Sequence, residues 1–195
     1  MKTPALLVAL LSLPLAAQQI HTSIVRTPLD ADNLAIYRDF LSGYDNGSGA
    51  VLNVANTTEA FLNATPVSDE QKSCLSDVHI TRLSSAVVHK FSADAFPADK
   101  VRLVDPATYQ RRDPSDAIRT GKSIEDAVHA GFAAGLFTFS EIVFDATHTH
   151  AAFQYSFVCG RLCGSGGTVL YDKRPDDHGK PGWQLSRKIC GSWIS

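Results

Sequence analysis

The sequence has no excess of charge of one sign. Its 18 lysines and arginines nearly balance its 20 aspartates and glutamates, and the net charge is −2. Binding to nucleic acid or to an anionic membrane surface relies on a dense positive field, which this chain lacks. We therefore expect no nucleic-acid partner, and an unknown protein or a small ligand instead.

Long hydrophobic segments are also absent beyond the first residues. A helix that crosses a bilayer needs about 20 consecutive apolar residues, and the apolar run at residues 5–15 is shorter. Lys2 precedes this run, and the small residues Ala16 and Ala17 follow it. This order of features is typical of a secretory signal peptide.

The sequence thus predicts a signal peptide at residues 1–17, with cleavage before Gln18. The mature protein is then secreted or periplasmic, without stable membrane insertion. An uncleaved anchor is the alternative, because Leu15 is bulkier than the residue that usually stands three positions before a cleavage site.

Cysteine is scarce, and its positions are informative. The chain holds Cys74, Cys159, Cys163 and Cys190. An even number of cysteines in an oxidising compartment indicates disulfide bonds. Four cysteines can pair in three ways, and the sequence leaves that pairing open.

Two of these cysteines stand in the stretch SFVCGRLCGSGGTVLYDK, and three kinds of site compete there. A thioredoxin-like redox site needs C-x-x-C at a helix start, whereas this spacing is one residue longer and strand-like residues flank it. A zinc site can use Cys159, Cys163, Cys190 and a histidine. We favour a structural disulfide, either across the loop or to Cys190, with the neighbouring glycines giving positive φ in the turn.

Residues 18–195 suit one domain. In the whole chain, 44% of the residues are hydrophobic and 19% are charged, which is enough apolar material for one core. Leu34, Tyr37 and Leu41 repeat at helical spacing. Ser68 and Gln71 form a candidate capping box for a helix that extends to about Leu83. The stretch SIED at 123–126 starts another helix in the same way.

From residue 136 to residue 195, four strand-like runs are joined by three turn-rich links. Short links favour antiparallel neighbours. The pattern predicts an α+β fold with N-terminal helices followed by a C-terminal four-stranded antiparallel β-meander. Trp183 should begin a strand beside TVLYDK.

This C-terminal part, about 60 residues, resembles a group of uncharacterised secreted bacterial proteins. The matching residues are FSEIVFDATHTHAAFQYSFVCGRLCGSGGTVLYDK, Trp183 and CGSWIS. The shared pattern is FS-x-I-x-F, CG-x-LCG-x-G, a tryptophan and C-G-x-W-I-S. The resemblance implies a sheet architecture and a secreted location, and it implies no particular reaction.

A metal site is the main chemical candidate outside the cysteine loop. In an extended strand, His148 and His150 would point to the same face, and two imidazoles there can bind zinc or copper. Asp145 can join them or orient one ring. No third ligand is fixed by the sequence.

No complete catalytic set of residues is visible, and we expect neither enzyme activity nor a cofactor. The leading interpretation is a secreted or periplasmic small globular protein with a non-catalytic binding or structural role. The alternative is a metal-binding protein or metal-dependent hydrolase that uses His148 and His150.

Overall fold

A computed structural model describes residues 24–26, 29–44, 49–61, 68–81 and 87–195. The signal peptide predicted at residues 1–17 lies outside these ranges. The helices are α1 (Ala31–Gly43), α2 (Asp69–Asp77), α3 (Pro114–Arg119) and α4 (Ile124–Ala133). The strands are β1 (Ile24–Arg26), β2 (Leu52–Ala55), β3 (Val87–His89), β4 (Val101–Val104), β5 (Leu136–Phe139), β6 (Val143–Phe144), β7 (His150–Gly160), β8 (Cys163–Pro175) and β9 (Pro181–Ile194).

The described strands form a large mixed sheet and a small parallel pair. The order in the large sheet is β4-β2-β5-β7-β8-β9, with β6 on β7, and β1 pairs with β3 separately. β2 runs parallel to both β4 and β5, whereas β5, β7, β8 and β9 are antiparallel to their neighbours along the rest of the sheet. The fold class α+β is confirmed at that level.

The expected four-stranded antiparallel meander is wrong as a description of this sheet. The antiparallel strands are only part of a mixed sheet, and β2 and β4 from the N-terminal half complete it. The helices also do not all precede the strands, since β1 to β4 come before α3 and α4 in the chain. Turn signals report which strands are joined by short links, but they do not report which distant strand pairs with β5.

α1 covers one face of the sheet. The Asp30 side chain accepts a hydrogen bond from the Asn33 N–H at 2.8 Å and begins the helix. Its buried face carries Ile36 and Tyr37, and Tyr37 stacks on Phe139 of β5 with ring centroids 5.2 Å apart. The Tyr37 hydroxyl donates to the Ser140 carbonyl at 2.6 Å, so that the buried phenol is satisfied.

α2 covers the opposite face. The capping box predicted at Ser68 and Gln71 is confirmed, with both reciprocal hydrogen bonds formed. The helix ends at Asp77, not near Leu83. Its Leu75 joins a second core cluster that includes Ala152 of β7, whereas the neighbouring Phe153 belongs to the α1 side. This alternation follows from the two-residue period of a strand.

α3 and α4 form a helical pair at the cysteine-loop end of β7. Gly131 of α4 lies so close to Pro114 that an added Cβ would stand 2.5 Å from the proline ring. Glycine at this position therefore permits the two helices to touch. The Ile124 side chain is 69% exposed, so α4 has a narrow buried face around Ala127 and Gly131. Within the described ranges, no helix combines the length and apolar character needed to cross a membrane.

Candidate functional site

The turn between β6 and β7 holds the residues that the sequence singled out for metal binding. The Asp145 carboxylate accepts hydrogen bonds from the backbone N–H groups of Thr149 and His150, both at 2.7 Å, and from the Thr147 hydroxyl. Burial disfavours the ionised form, but these donors outweigh it and hold the pKa of Asp145 well below its usual value. Both carboxylate oxygens therefore accept hydrogen bonds from within the turn.

The two histidines do not share a strand face. His148 has a φ of 57° and lies in the turn, while β7 begins at His150. The expectation that both rings lie on one extended segment is wrong for His148. Asp145 holds the backbone between itself and His150 in a turn, and His148 in that turn has a left-handed conformation. His148 Nε2 contacts Asp32 Oδ2 at 3.1 Å, and His150 Nδ1 contacts Asp172 Oδ1 at 2.9 Å.

Around Asp32, three side chains gather at the start of α1. Lys173 Nζ donates to Asp32 Oδ2 at 3.0 Å and lies 5.1 Å from the Trp183 ring centroid. The hydrogen bond from Lys173 is the largest cause of the lowered pKa of Asp32, and burial partly opposes it. Trp183 Nε1 makes no hydrogen bond of normal geometry with a described residue, although its position near Asp32 also favours the ionised carboxylate. This cluster joins α1 to β8 and β9 by charge and aromatic contact.

The part of the chain that the structure describes contains no group of three or more His, Cys, Asp or Glu side chains arranged to hold a metal ion. His148 and His150 each have a different aspartate partner, and Asp145 is committed to backbone donors. These three side chains therefore do not converge on one point where the predicted zinc or copper ion could bind.

The cysteine loop is a disulfide-closed turn. Cys159 and Cys163 are bonded across the link between β7 and β8, with Cα atoms 5.1 Å apart. Cys74 and Cys190 form the second disulfide, with Cα atoms 5.5 Å apart, and tie α2 to β9. The expected disulfides are therefore present, and the zinc alternative that used Cys159, Cys163 and Cys190 has no free thiol.

Inside this loop, Arg161 is anchored to the start of α3. Its backbone N–H and its Nε both donate to Asp113 Oδ2, at 3.0 and 3.1 Å. The first of these bonds is the largest cause of the lowered pKa of Asp113. The loop therefore has a structural partner, and no nucleophile stands in it.

The glycines after the loop do not adopt the positive φ that we expected. Gly164, Gly166 and Gly167 lie in β8, and their φ values are not in the left-handed region. An added Cβ on Gly166 would stand 2.5 Å from Trp193 Nε1 and 2.7 Å from the Tyr155 carbonyl. Glycine is required there because the Trp193 indole occupies the space of a side chain.

A buried carboxylate, Glu141, was missed by the sequence reasoning. Glu141 is 4% exposed and accepts from His89 Nδ1 and the His89 backbone N–H, each at 2.8 Å, and from the Thr58 hydroxyl. A signal for it existed: Glu141 is the only charged residue in the strand-like run LFTFSEIVF. The carboxylate joins the β3 segment to the main sheet.

A cleft between α1 and the start of β4 is a concave site with a volume of about 900 Å³. We call it the α1 cleft. Its apolar floor contains Leu41, Leu52, Phe96 and Val101, and its rim contains Arg38 and Lys100. Arg38 Nε donates to the Ala95 carbonyl at 2.6 Å, which fixes one wall. Sequence reasoning could not find this cleft, because its walls are about 50 residues apart in the chain.

Comparisons with family models, with curated proteins and with solved structures found no match to this chain. The resemblance of the C-terminal part to a secreted bacterial group therefore stays a prediction.

Proposed function

We propose that the protein is an exported, non-catalytic binding protein that takes a small, largely apolar ligand in the α1 cleft. The observation that carries this proposal is the cleft itself, with an apolar floor and a volume of about 900 Å³. Small-molecule sites are concave, mostly apolar and about 300–1,000 Å³ in volume.

The charges around the cleft support a ligand without strong net charge. Arg38 and Lys100 stand at the rim, and so do Asp94 and Asp99. The two signs balance, so the field at the rim does not select a cation or an anion. The apolar floor then supplies most of the binding free energy, since burial of apolar surface contributes about 25 cal/mol per Å².

A preformed wall supports binding without large rearrangement. The segment that carries Phe96 is fixed to α1 by the Arg38 bonds to the carbonyls of Ala95 and Asp94, the second at 3.3 Å. Phe96 also packs on Phe91, with ring centroids 5.1 Å apart. A preformed site loses little conformational entropy when a ligand enters.

Export is part of the proposal and has separate support. The two disulfides fit an oxidising compartment, and the leader at residues 1–17 has the order of features of a signal peptide. We also propose kinship with the secreted bacterial group on the strength of the C-terminal motif. A partner or small ligand in the cell envelope follows from that location.

The test uses N-phenyl-1-naphthylamine, a neutral apolar dye whose fluorescence rises on transfer from water to an apolar site. We expect saturable binding by the wild-type protein. Ala50→Phe places a large side chain on the cleft wall and should weaken binding by about tenfold or more, because it fills the space that the dye needs. Ala107→Phe is the matched control at an exposed alanine outside the cleft, and it should bind like the wild type.

A second blocking variant keeps the test decisive if Ala50→Phe does not fold. Ser42→Trp changes an exposed residue of α1 that borders the cleft. The Ser42 hydroxyl donates to the Asp39 carbonyl of the same helix at 2.7 Å. If both blocking variants fold and still bind the dye with wild-type affinity, the α1 cleft is not the binding site and the proposal fails.

A further inference from the structure

The second half of β9 departs from a regular ladder. Between Val169 and Tyr171 of β8, the pairing on β9 moves from position 189 back to Leu185, a step of four residues against two. A second shift lies between Gly167 and Val169, and Gly191 there has a φ of 86°. Bulges of this kind bend a strand and redirect its side chains. Residues 186–188 of β9 therefore stand opposite Leu170 alone, and none of them has a register partner on β8.

This bend borders a concave strip of the sheet, which we call the β9 groove. Its volume is about 440 Å³. Tyr155 and Val169 line it together with Gly167, whose Cβ position would lie 2.7 Å from the Gly191 carbonyl of β9. Leu185 and Ile194 also line it, and their side chains are 53% and 88% exposed. The groove is thus apolar surface in contact with water.

The charges along the groove have one sign. Arg187 and Lys188 line it, and none of the described residues that line it is an aspartate or a glutamate. Lys188 Nζ bonds Asp77 at 2.7 Å, whereas Arg187 makes no ion pair with a described residue. Arg187 belongs to the bulged part of β9 and is exposed.

We propose that the β9 groove binds a single-chain anionic amphiphile, a long-chain carboxylate. The acyl chain lies on Val169, Leu185 and Ile194, and the carboxylate bonds the Arg187 guanidinium. Arginine binds a carboxylate through paired N–H donors, which gives both affinity and orientation. The concave shape suits one chain, whereas a bilayer surface needs a flat or convex face.

This site is separate from the α1 cleft and extends the proposed function to a second ligand class. The two sites share no lining residue. The balanced charges of the α1 cleft do not favour an anion, and the one-signed charge of the β9 groove does.

The test is isothermal titration calorimetry of the full mature protein with laurate below its micelle concentration. Dodecyltrimethylammonium, with a chain of the same length and a positive head, is the charge control. We expect laurate to bind at least about tenfold more tightly than the cation, which is the effect of one charge-assisted hydrogen bond. Arg187→Glu should weaken laurate binding by about tenfold or more.

Matched variants distinguish binding in the groove from an effect of net charge and from binding in the α1 cleft. Lys180→Glu makes the same change of charge at an exposed position of the β8–β9 turn, outside the groove, and should leave laurate affinity within about twofold. Leu185→Gln removes apolar surface without changing charge and should weaken binding. Ala50→Phe should bind laurate like the wild type. Loss of laurate binding in that variant would place the ligand in the α1 cleft. That result would overturn the proposal for the β9 groove and leave the proposal for the α1 cleft intact.

Three further results contradict the proposal. One is wild-type laurate affinity in a folded Arg187→Glu protein. Another is equal weakening by Lys180→Glu, which would indicate net charge instead of a site. The third is co-sedimentation with phosphatidylglycerol vesicles, dependent on Arg187, without binding of monomeric laurate, which would indicate a membrane surface as the partner.

Discussion

At the residue scale, Asp145 determines where β7 begins. Its carboxylate collects the N–H groups of Thr149 and His150 and the Thr147 hydroxyl, so that the chain reverses between Phe144 and His150. The H-x-H spacing suggested an extended segment, but a single aspartate just before it sets a turn instead. The turn that Asp145 sets places His148 beside Asp32 of α1.

We predict that Asp145→Ala lowers stability at neutral pH by about 1–2 kcal/mol, as expected for the loss of hydrogen bonds to an ionised carboxylate. Because the folded-state pKa lies below the usual 3.8, the unfolded state binds more protons as pH falls below that value. The stabilisation is present above about pH 4 and is lost as pH falls through the folded pKa. Urea unfolding between pH 2 and pH 7 should show the two proteins converging at low pH.

Asp177→Ala is the control for this experiment. Asp177 stands in the β8–β9 turn, and its side chain makes no hydrogen bond to a described residue. Its difference from the wild type should be small at neutral pH. A difference between wild type and Asp145→Ala that does not narrow at low pH would show that the ionised carboxylate is not the stabilising form.

Glu141 makes a comparable contribution inside the core. Its carboxylate accepts three hydrogen bonds from His89 and Thr58, which reinforce the isolated backbone bridge between the β3 segment and the residues after β2. We predict that Glu141→Ala costs about 3–5 kcal/mol, as for a broken buried pair, because it orphans buried donors. His89→Ala should cost less, since Glu141 then keeps the Thr58 hydroxyl and the backbone N–H. Urea unfolding measures both, and a larger loss for His89→Ala would contradict this role of Glu141.

At the scale of elements, the two tryptophans of β9 have different roles. Trp183 is opposite Lys173 of β8, as predicted, and is 9% exposed among Phe144, His148 and Lys173. Trp193 is 44% exposed and covers Gly164 and Gly166. One tryptophan belongs to the core under α1, and the other lies on the outer surface of β8.

We predict that Trp183→Ala lowers the free energy of unfolding by about 3 kcal/mol or more, the usual cost of removing a buried aromatic side chain. Trp193→Ala, the same change at a half-exposed position, should cost clearly less. Thermal or urea unfolding gives both values. Equal losses would mean that the burial of Trp183 does not determine how β9 is attached.

The elements that the sequence predicts well are those that local contacts specify. The capping box of α2 involves Ser68 and Gln71, three residues apart, and the sequence alone identifies it. The pairing of β2 with β4 and β5 joins Asn53 to Arg102 and to Leu136, and no local pattern encodes such distant partners. The α1 cleft depends on that pairing, which is why sequence reasoning reached the strands and not the site.

At the scale of the whole molecule, the disulfides act over very different lengths. Cys74 and Cys190 are 116 positions apart and connect α2 to the edge strand β9, whereas Cys159 and Cys163 are four apart. In the chain-entropy view, a cross-link stabilises by restricting the unfolded chain, and the effect grows with loop length. The long-range bond should thus contribute more.

We predict that the Cys74→Ala/Cys190→Ala protein loses about 5 kcal/mol and that the Cys159→Ala/Cys163→Ala protein loses about 2 kcal/mol. Alanine avoids placing a hydroxyl at these buried positions. Urea unfolding without reductant gives the two values, and thiol titration of the unfolded wild type should find no free thiol. Equal losses for the two pairs would contradict the dependence on loop length.

The predicted signal peptide and the two disulfides make one joint prediction, because a protein that depends on a long-range disulfide must reach an oxidising compartment. Expressed with residues 1–17 in a bacterial host, the protein should be exported and begin at or near Gln18 by mass spectrometry. Leu10→Arg breaks the apolar run and should leave an uncleaved precursor with reduced cysteines, whereas Thr22→Arg, the same gain of charge beyond the cleavage site, should be processed and oxidised like the wild type. An exported wild-type protein that retains Met1 would show that residues 1–17 form an anchor instead of a cleaved signal.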